Sequence, residues 1–84
     1  MNFEECCKER LKQGQKEHGN KWNNWTGKIF MDEIQEELVD AVNYFKKMQQ
    51  ASNGHIITLR IKSLCNQLEI IYNELELWKE INKK

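Results

Sequence analysis

The stretch EIQEELVD, residues 33–40, brings Glu33, Glu36, Glu37 and Asp40 close together in the chain. On a helix, residues three, four and seven apart share a side. These carboxylates therefore line one face, and Tyr44 continues it. Glu33/Glu37 and Glu36/Asp40 are like-charged pairs at one-turn spacing, each costing about 0.2–0.5 kcal/mol. No lysine or arginine follows within the cluster until Lys46 and Lys47. Several converging carboxylate oxygens are what a hard divalent cation such as Mg2+ selects, and such an ion would remove the repulsion. The plain alternative is a solvated acidic face near a helix N-terminus, where the helix dipole also favours negative charge. Spacing alone leaves both open.

Other residues could serve a ligand beside that face. Trp22 and Trp25 lie three apart and could stack on a nucleotide base, or plug the end of a small bundle. Lys21 and Lys28 could meet phosphates, or be solvated. Asn43 adjoins the acidic face and could read a base edge or order a metal-bound water, or simply be a surface asparagine. His18 and His55 have no second ligand at i+4, so they do not signal a metal site. There is no glycine-rich phosphate loop and no nucleophile elbow.

Three helical segments must position these groups, and no stretch signals a strand. The first runs over about Phe3–Gln13, with Asn2 and Glu5 in the form of a capping box. Its apolar positions Phe3, Cys7 and Leu11 make a narrow stripe that should dock weakly. GQKEHGNKWNNWTGK, residues 14–28, reads as a long loop because glycine and asparagine interrupt it. A second helix begins near Ile29 or Asp32, capped by Thr26 or by the tidier Asp32–Gln35 box, and ends near Gln50. Its stripe is Phe30, Ile34, Leu38, Ala41, Val42, Phe45 and Met48. ASNG, with Gly54 suited to a left-handed turn, leads to a third helix over about Ile56–Asn82. There Ile57, Ile61, Leu64, Leu68, Ile71, Leu75 and Trp78 alternate by four and three, as a coiled-coil seam does. Leu59, Ile70, Leu77 and Ile81 add apolar surface outside it. One antiparallel partner cannot cover all of this. The expectation is an all-α single domain, residues 1–84, in which a long hairpin of helices 2 and 3 builds an oligomeric helical bundle.

Composition narrows the rest. The chain has 84 residues, no proline, and 13 basic against 13 acidic side chains. Such a small domain has a modest core and often recruits a metal or a second subunit. Balanced charge gives no basic stripe for general nucleic-acid binding. No apolar run suits a membrane span and no signal-peptide core is visible, so a soluble, cytoplasmic protein is expected. Cys6, Cys7 and Cys65 form neither a CxxC nor a paired framework, and are expected as free thiols.

EELVDAVNYF, residues 36–45, resembles the ExxD-containing helix of the MazG-like all-α nucleoside triphosphate pyrophosphohydrolases. The likeness is to small phage-encoded members, with HGNKWNNW, residues 18–25, standing for their upstream glycine/tryptophan segment. It covers roughly residues 14–50. In that family ExxE and ExxD motifs on neighbouring helices bind magnesium, which clamps the triphosphate and activates water, releasing pyrophosphate. Glu37-x-x-Asp40 matches ExxD and would be catalytic. Glu33-x-x-Glu36 has the form of ExxE but lies on the same helix. Glu69 and Glu76 of the third helix, or a partner subunit's second helix, could supply a missing half-site. The resemblance implies Mg2+ at Glu33, Glu36, Glu37 and Asp40, and a nucleotide at Lys21, Trp22, Trp25, Asn43 and Tyr44. The rival expectations are a non-catalytic phage-type oligomer, which sequesters a nucleotide signal or inhibits a host protein, and a purely structural coiled-coil module.

Overall fold

Asn2 starts the first helix as its sequence form suggests: its side-chain oxygen accepts the Glu5 backbone N–H at 2.8 Å. The computed structural model describes residues 1–51 and 58–81. Among them are three helices, α1 (Phe3–Asn23), α2 (Gly27–Ala51) and α3 (Thr58–Ile81), and no strand. Gly54, Ile56, Ile57 and Asn82, which entered the sequence reading of the turn and the third helix, lie outside the described residues.

The loop expected over residues 14–28 is instead mostly helix. α1 continues to Asn23 and is interrupted by a kink at Gly19, with φ +27° and ψ −107°. A glycine inside a helix costs only about 1 kcal/mol relative to alanine. The lysines, glutamines and glutamates around Gly14 and Gly19 favour helix enough to offset that. Gly19 takes a backbone conformation that side-chain-bearing residues rarely adopt. The kink folds the last turn back so that the Trp22 ring lies over Gly14, where a Cβ would overlap it. The connection shrinks to a few residues around Trp25. Otherwise α1 behaves as its narrow stripe suggests: none of its residues is buried, and it packs along neither α2 nor α3.

Thr26, not Asp32, caps α2: its hydroxyl accepts the Ile29 N–H at 3.3 Å. α2 and α3 then pack as an antiparallel hairpin. Contacts between Asp32 and Lys79, Gln35 and Glu76, and Gln49 and Thr58 fix the direction and register. The facing positions on α3 are Thr58, Ile61, Cys65, Leu68, Tyr72, Leu75 and Lys79, all buried or half-buried. On α2 they are Met31, Gln35, Leu38, Val42, Phe45 and Gln49. Both series alternate by three and four, the spacing of two helices packed along a seam. Ile61 (2% exposed), Leu75 (5%) and Gln35 (5%) are its most enclosed members.

Only part of the seam expected on the third helix faces its partner. Ile61, Leu68 and Leu75 do. Leu64, Ile71 and Trp78 sit one position round the helix and remain 42%, 46% and 48% exposed. The sequence pattern follows a stripe wide enough for more than one neighbour, and the hairpin covers one edge of it. No helix among the described residues is long and apolar enough to cross a membrane. Cys6, Cys7 and Cys65 are free thiols.

Candidate functional site

Glu33, Glu36, Glu37 and Asp40 are all solvent-exposed on the N-terminal half of α2. The helix divides them. Asp32, Glu36 and Asp40 follow one another at one-turn intervals and line a recess between α2 and α3 with Gln35, Val39 and Tyr72. Glu33 and Glu37 do not line it. Among the described residues, Glu33, Glu36, Glu37 and Asp40 have no hydrogen bond or ion pair to any side chain. No group of three or more His, Cys, Asp or Glu residues is gathered to hold a metal ion, among the described residues. The chain alone therefore offers Glu36 and Asp40 as two uncompensated carboxylates in one recess.

Asp32 shares that recess, but its charge is already answered. Lys79 Nζ donates to Asp32 Oδ1 at 2.7 Å, and Lys28 Nζ approaches Oδ2 at 3.2 Å. Lys79 also donates to Gln35 Oε1 and lies 3.1 Å from Glu76 Oε1. Gln35 Nε2 completes the network, donating to Glu76 Oε1 at 2.8 Å and to the Tyr72 carbonyl at 3.1 Å. The hydrogen bond from Lys79, then that from Lys28, holds the Asp32 carboxyl below its ordinary value. The hydrogen bond from Gln35, then that from Lys79, lowers Glu76. The same contacts, with Asp32 first and Glu76 second, raise Lys79. This network ties the two helices at one end of the hairpin.

A second, larger groove runs along the same side of the hairpin towards the turn, with a volume of about 710 Å³. Leu38, Val42, Ile61 and Leu68 form its apolar floor. Its rim carries the amides of Asn43, Asn66 and Asn73, the ammonium groups of Lys46 and Lys62, and Glu69. Of the residues expected to bind a nucleotide, Asn43 is on this rim. Tyr44 is 76% exposed and lines neither recess. Glu69, a candidate for the missing half-site, is on the rim as well; Glu76 is engaged by Gln35 and Lys79.

Lys21, Trp22 and Trp25 lie elsewhere, around the end of α1. Trp22 stacks on His18 with ring centres 5.6 Å apart, and Trp25 meets Phe30 edge-on at 5.1 Å. The two tryptophan rings are tilted by 59° to each other, with centres 6.5 Å apart. The two tryptophans are half-buried in a local aromatic cluster that joins the kinked end of α1 to the start of α2. Neither tryptophan lines either recess, and Lys21 is exposed.

No family model, curated protein or solved structure matches the chain.

Proposed function

We propose that the chain is a MazG-like, magnesium-dependent nucleotide-binding protein that works as a homo-oligomer through α2 and α3, with nucleoside triphosphate pyrophosphohydrolysis as its activity. The observation that carries this reading is the pair Glu36 and Asp40, uncompensated and lining one recess. Mg2+ is commonly held by one or two carboxylates, keeping waters and taking phosphate oxygens as its other ligands. Two carboxylates therefore fit the ion, and Glu33 and Glu37 lie beside them on α2. Bound there, magnesium would neutralise phosphate charge and activate water. The chain's own residues would orient the ligand: Lys46 and Lys62 as cations on the adjoining groove, and Asn43 against a base edge. Glu37, the first residue of the ExxD match, lies outside the recess and has no part in holding the ion. Trp22, Trp25, Lys21 and Tyr44 lie outside both recesses.

Thermal unfolding with and without Mg2+, across a panel of nucleotides including cyclic ones, tests it. A ligand bound only by the folded state raises stability by RT ln(1 + [L]/Kd). The expected result is a magnesium-dependent rise in Tm, lost in the exposed-site double variant Glu36→Ala/Asp40→Ala, with monophosphate and pyrophosphate found by chromatography. A rise with the nucleotide recovered intact supports the second reading below. No rise with any nucleotide overturns the proposal.

The second reading is a non-catalytic, phage-type helical oligomer that sequesters a nucleotide signal or inhibits a host protein. One observation favours it. Ile70 and Leu77 lie one heptad apart on the outer side of α3, 67% and 59% exposed. They point away from the hairpin and from the acidic recess, where a protein partner could cover them.

A further inference from the structure

The two sides of the hairpin differ in chemistry. The side described above has an amide- and lysine-rimmed groove. The opposite side carries Ile34, Ala41 and Met48 on α2, and Leu64, Ile71 and Trp78 on α3. Each series repeats every seventh residue, so each forms a straight row beside the seam. The antiparallel register pairs the rows in layers: Ile34 with Trp78, Ala41 with Ile71, Met48 with Leu64. The large side chains of this strip are between 42% and 48% exposed.

The hairpin is also electrically two-ended. At its open end α2 carries Asp32, Glu33, Glu36, Glu37 and Asp40, and α3 carries Glu69, Glu74, Glu76 and Glu80, against Lys28 and Lys79. At the turn end, residues 41–51 and 58–68 carry Lys46, Lys47, Arg60 and Lys62 and no carboxylate. On the margin of the apolar strip this becomes Glu37 and Glu74 at one end and Arg60 at the other.

We propose that a second copy of this chain covers the strip, packed head to tail about a two-fold axis midway between the Ala41/Ile71 and Met48/Leu64 layers. The strip is self-complementary, as an isologous interface requires. Head-to-tail packing sets the acidic end of each hairpin over the basic end of the other, with Glu37 and Glu74 facing Arg60 of the second copy. Head-to-head packing would stack like charges at both ends. The area agrees. The chain exposes 7404 Å², where a compact 10.1 kDa monomer would expose about 5300 Å². Part of the excess belongs to the unpacked α1, and the remainder leaves room for the roughly 800 Å² that each partner of a stable interface buries. The groove side stays open in this dimer. The arrangement does not depend on the nucleotide reading, and it leaves both hairpins' acidic recesses accessible.

Sedimentation equilibrium of the full chain tests the proposal at about 50 and about 500 mM salt, chosen to span strong and weak charge screening. The expected result is a dimer whose dissociation constant rises with salt. Ile71→Glu should weaken it on the order of 100-fold, because the axis brings the substitution into the interface twice. Its far-ultraviolet circular dichroism should stay helical, since Ile71 is outside the monomer's seam. Arg60→Glu should weaken the dimer, and adding Glu37→Arg and Glu74→Arg should restore it. A monomer at tens of micromolar, or a dimer indifferent to Ile71→Glu, would overturn the proposed interface. A dimer that tightens with salt, or that the charge swap fails to restore, overturns the head-to-tail arrangement.

Discussion

Gln35 occupies a seam position that a hairpin of this kind would usually fill with leucine. It is retained in the seam at a cost only a satisfied polar group can offset, and here every polar atom of the side chain is used: one carbonyl oxygen by Lys79, the amide by Glu76 and Tyr72. A single polar residue at a core position fixes register, because any slip leaves it unpaired. Gln35→Ala should therefore destabilise by about 1–3 kcal/mol, the cost of stranding buried partners, measured by urea unfolding. The ionic half of the network gives a pH profile. Asp32 and Glu76 have lowered pKa values in the folded chain, so their contribution is present above their ordinary values of 3.8 and 4.5 and is lost as pH falls through the folded values. Lys79 is raised above 10.5, so its contribution is present below that value and is lost as pH rises through the folded value. The network's own contribution to Tm should be flat between these limits and fall on both sides, and Lys79→Met should blunt both falls. Little of this was legible in the sequence. Asp32 followed by Gln35 has the form of a capping box, and the same two side chains at the same spacing also suit a cross-helix network. What decides between them is Thr26, which starts the helix earlier and frees Asp32 for Lys79.

At the scale of the element, α1 shows how far glycine content misleads. Gly14, Gly19 and Gly27 suggested a break over the whole stretch, but only Gly19 adopts a non-helical conformation. Gly14 serves a different end: it leaves room for the Trp22 ring. Glycine marks both uses identically in a sequence, and only the tertiary contact separates them. Gly19→Ala should straighten α1, since the positive φ costs about 1–3 kcal/mol for a residue with a Cβ while alanine gains about 1 kcal/mol in a regular helix. Helical content should hold or rise, and tryptophan fluorescence should change as Trp22 leaves Gly14. Gly14→Ala should change the fluorescence too, by displacing the ring and not by moving the helix. The helices themselves were legible, because apolar spacing of three and four persists along α2 and α3. The acidic face was legible as a face. Its division into a recess-lining pair and two outward glutamates was not, because that depends on where the second helix lies.

At the scale of the molecule, the question is which apolar side chains hold the hairpin together and which lie outside its seam. Leu75 and Ile71 are four residues apart on α3, similar in size, and read alike in the sequence. The hairpin buries Leu75 and leaves Ile71 nearly half exposed. Leu75→Ala removes a core contact and leaves a cavity, which costs about 2–5 kcal/mol. That is a large share of what so small a core can supply, so this variant should lose helicity at every protein concentration. Ile71→Ala removes little from the monomer. Its effect should depend on concentration: near neutral in dilute solution, where wild type and variant are both monomers, and a lower Tm than wild type where wild type is dimeric, because association stabilises by mass action. Tm measured over a hundredfold range of protein concentration separates the cases. Parallel losses in both variants would place Ile71 in the monomer core and remove the reason for a second copy. A wild-type Tm that climbs with concentration, and an Ile71→Ala Tm that does not, would assign the two halves of one sequence stripe to two different interfaces.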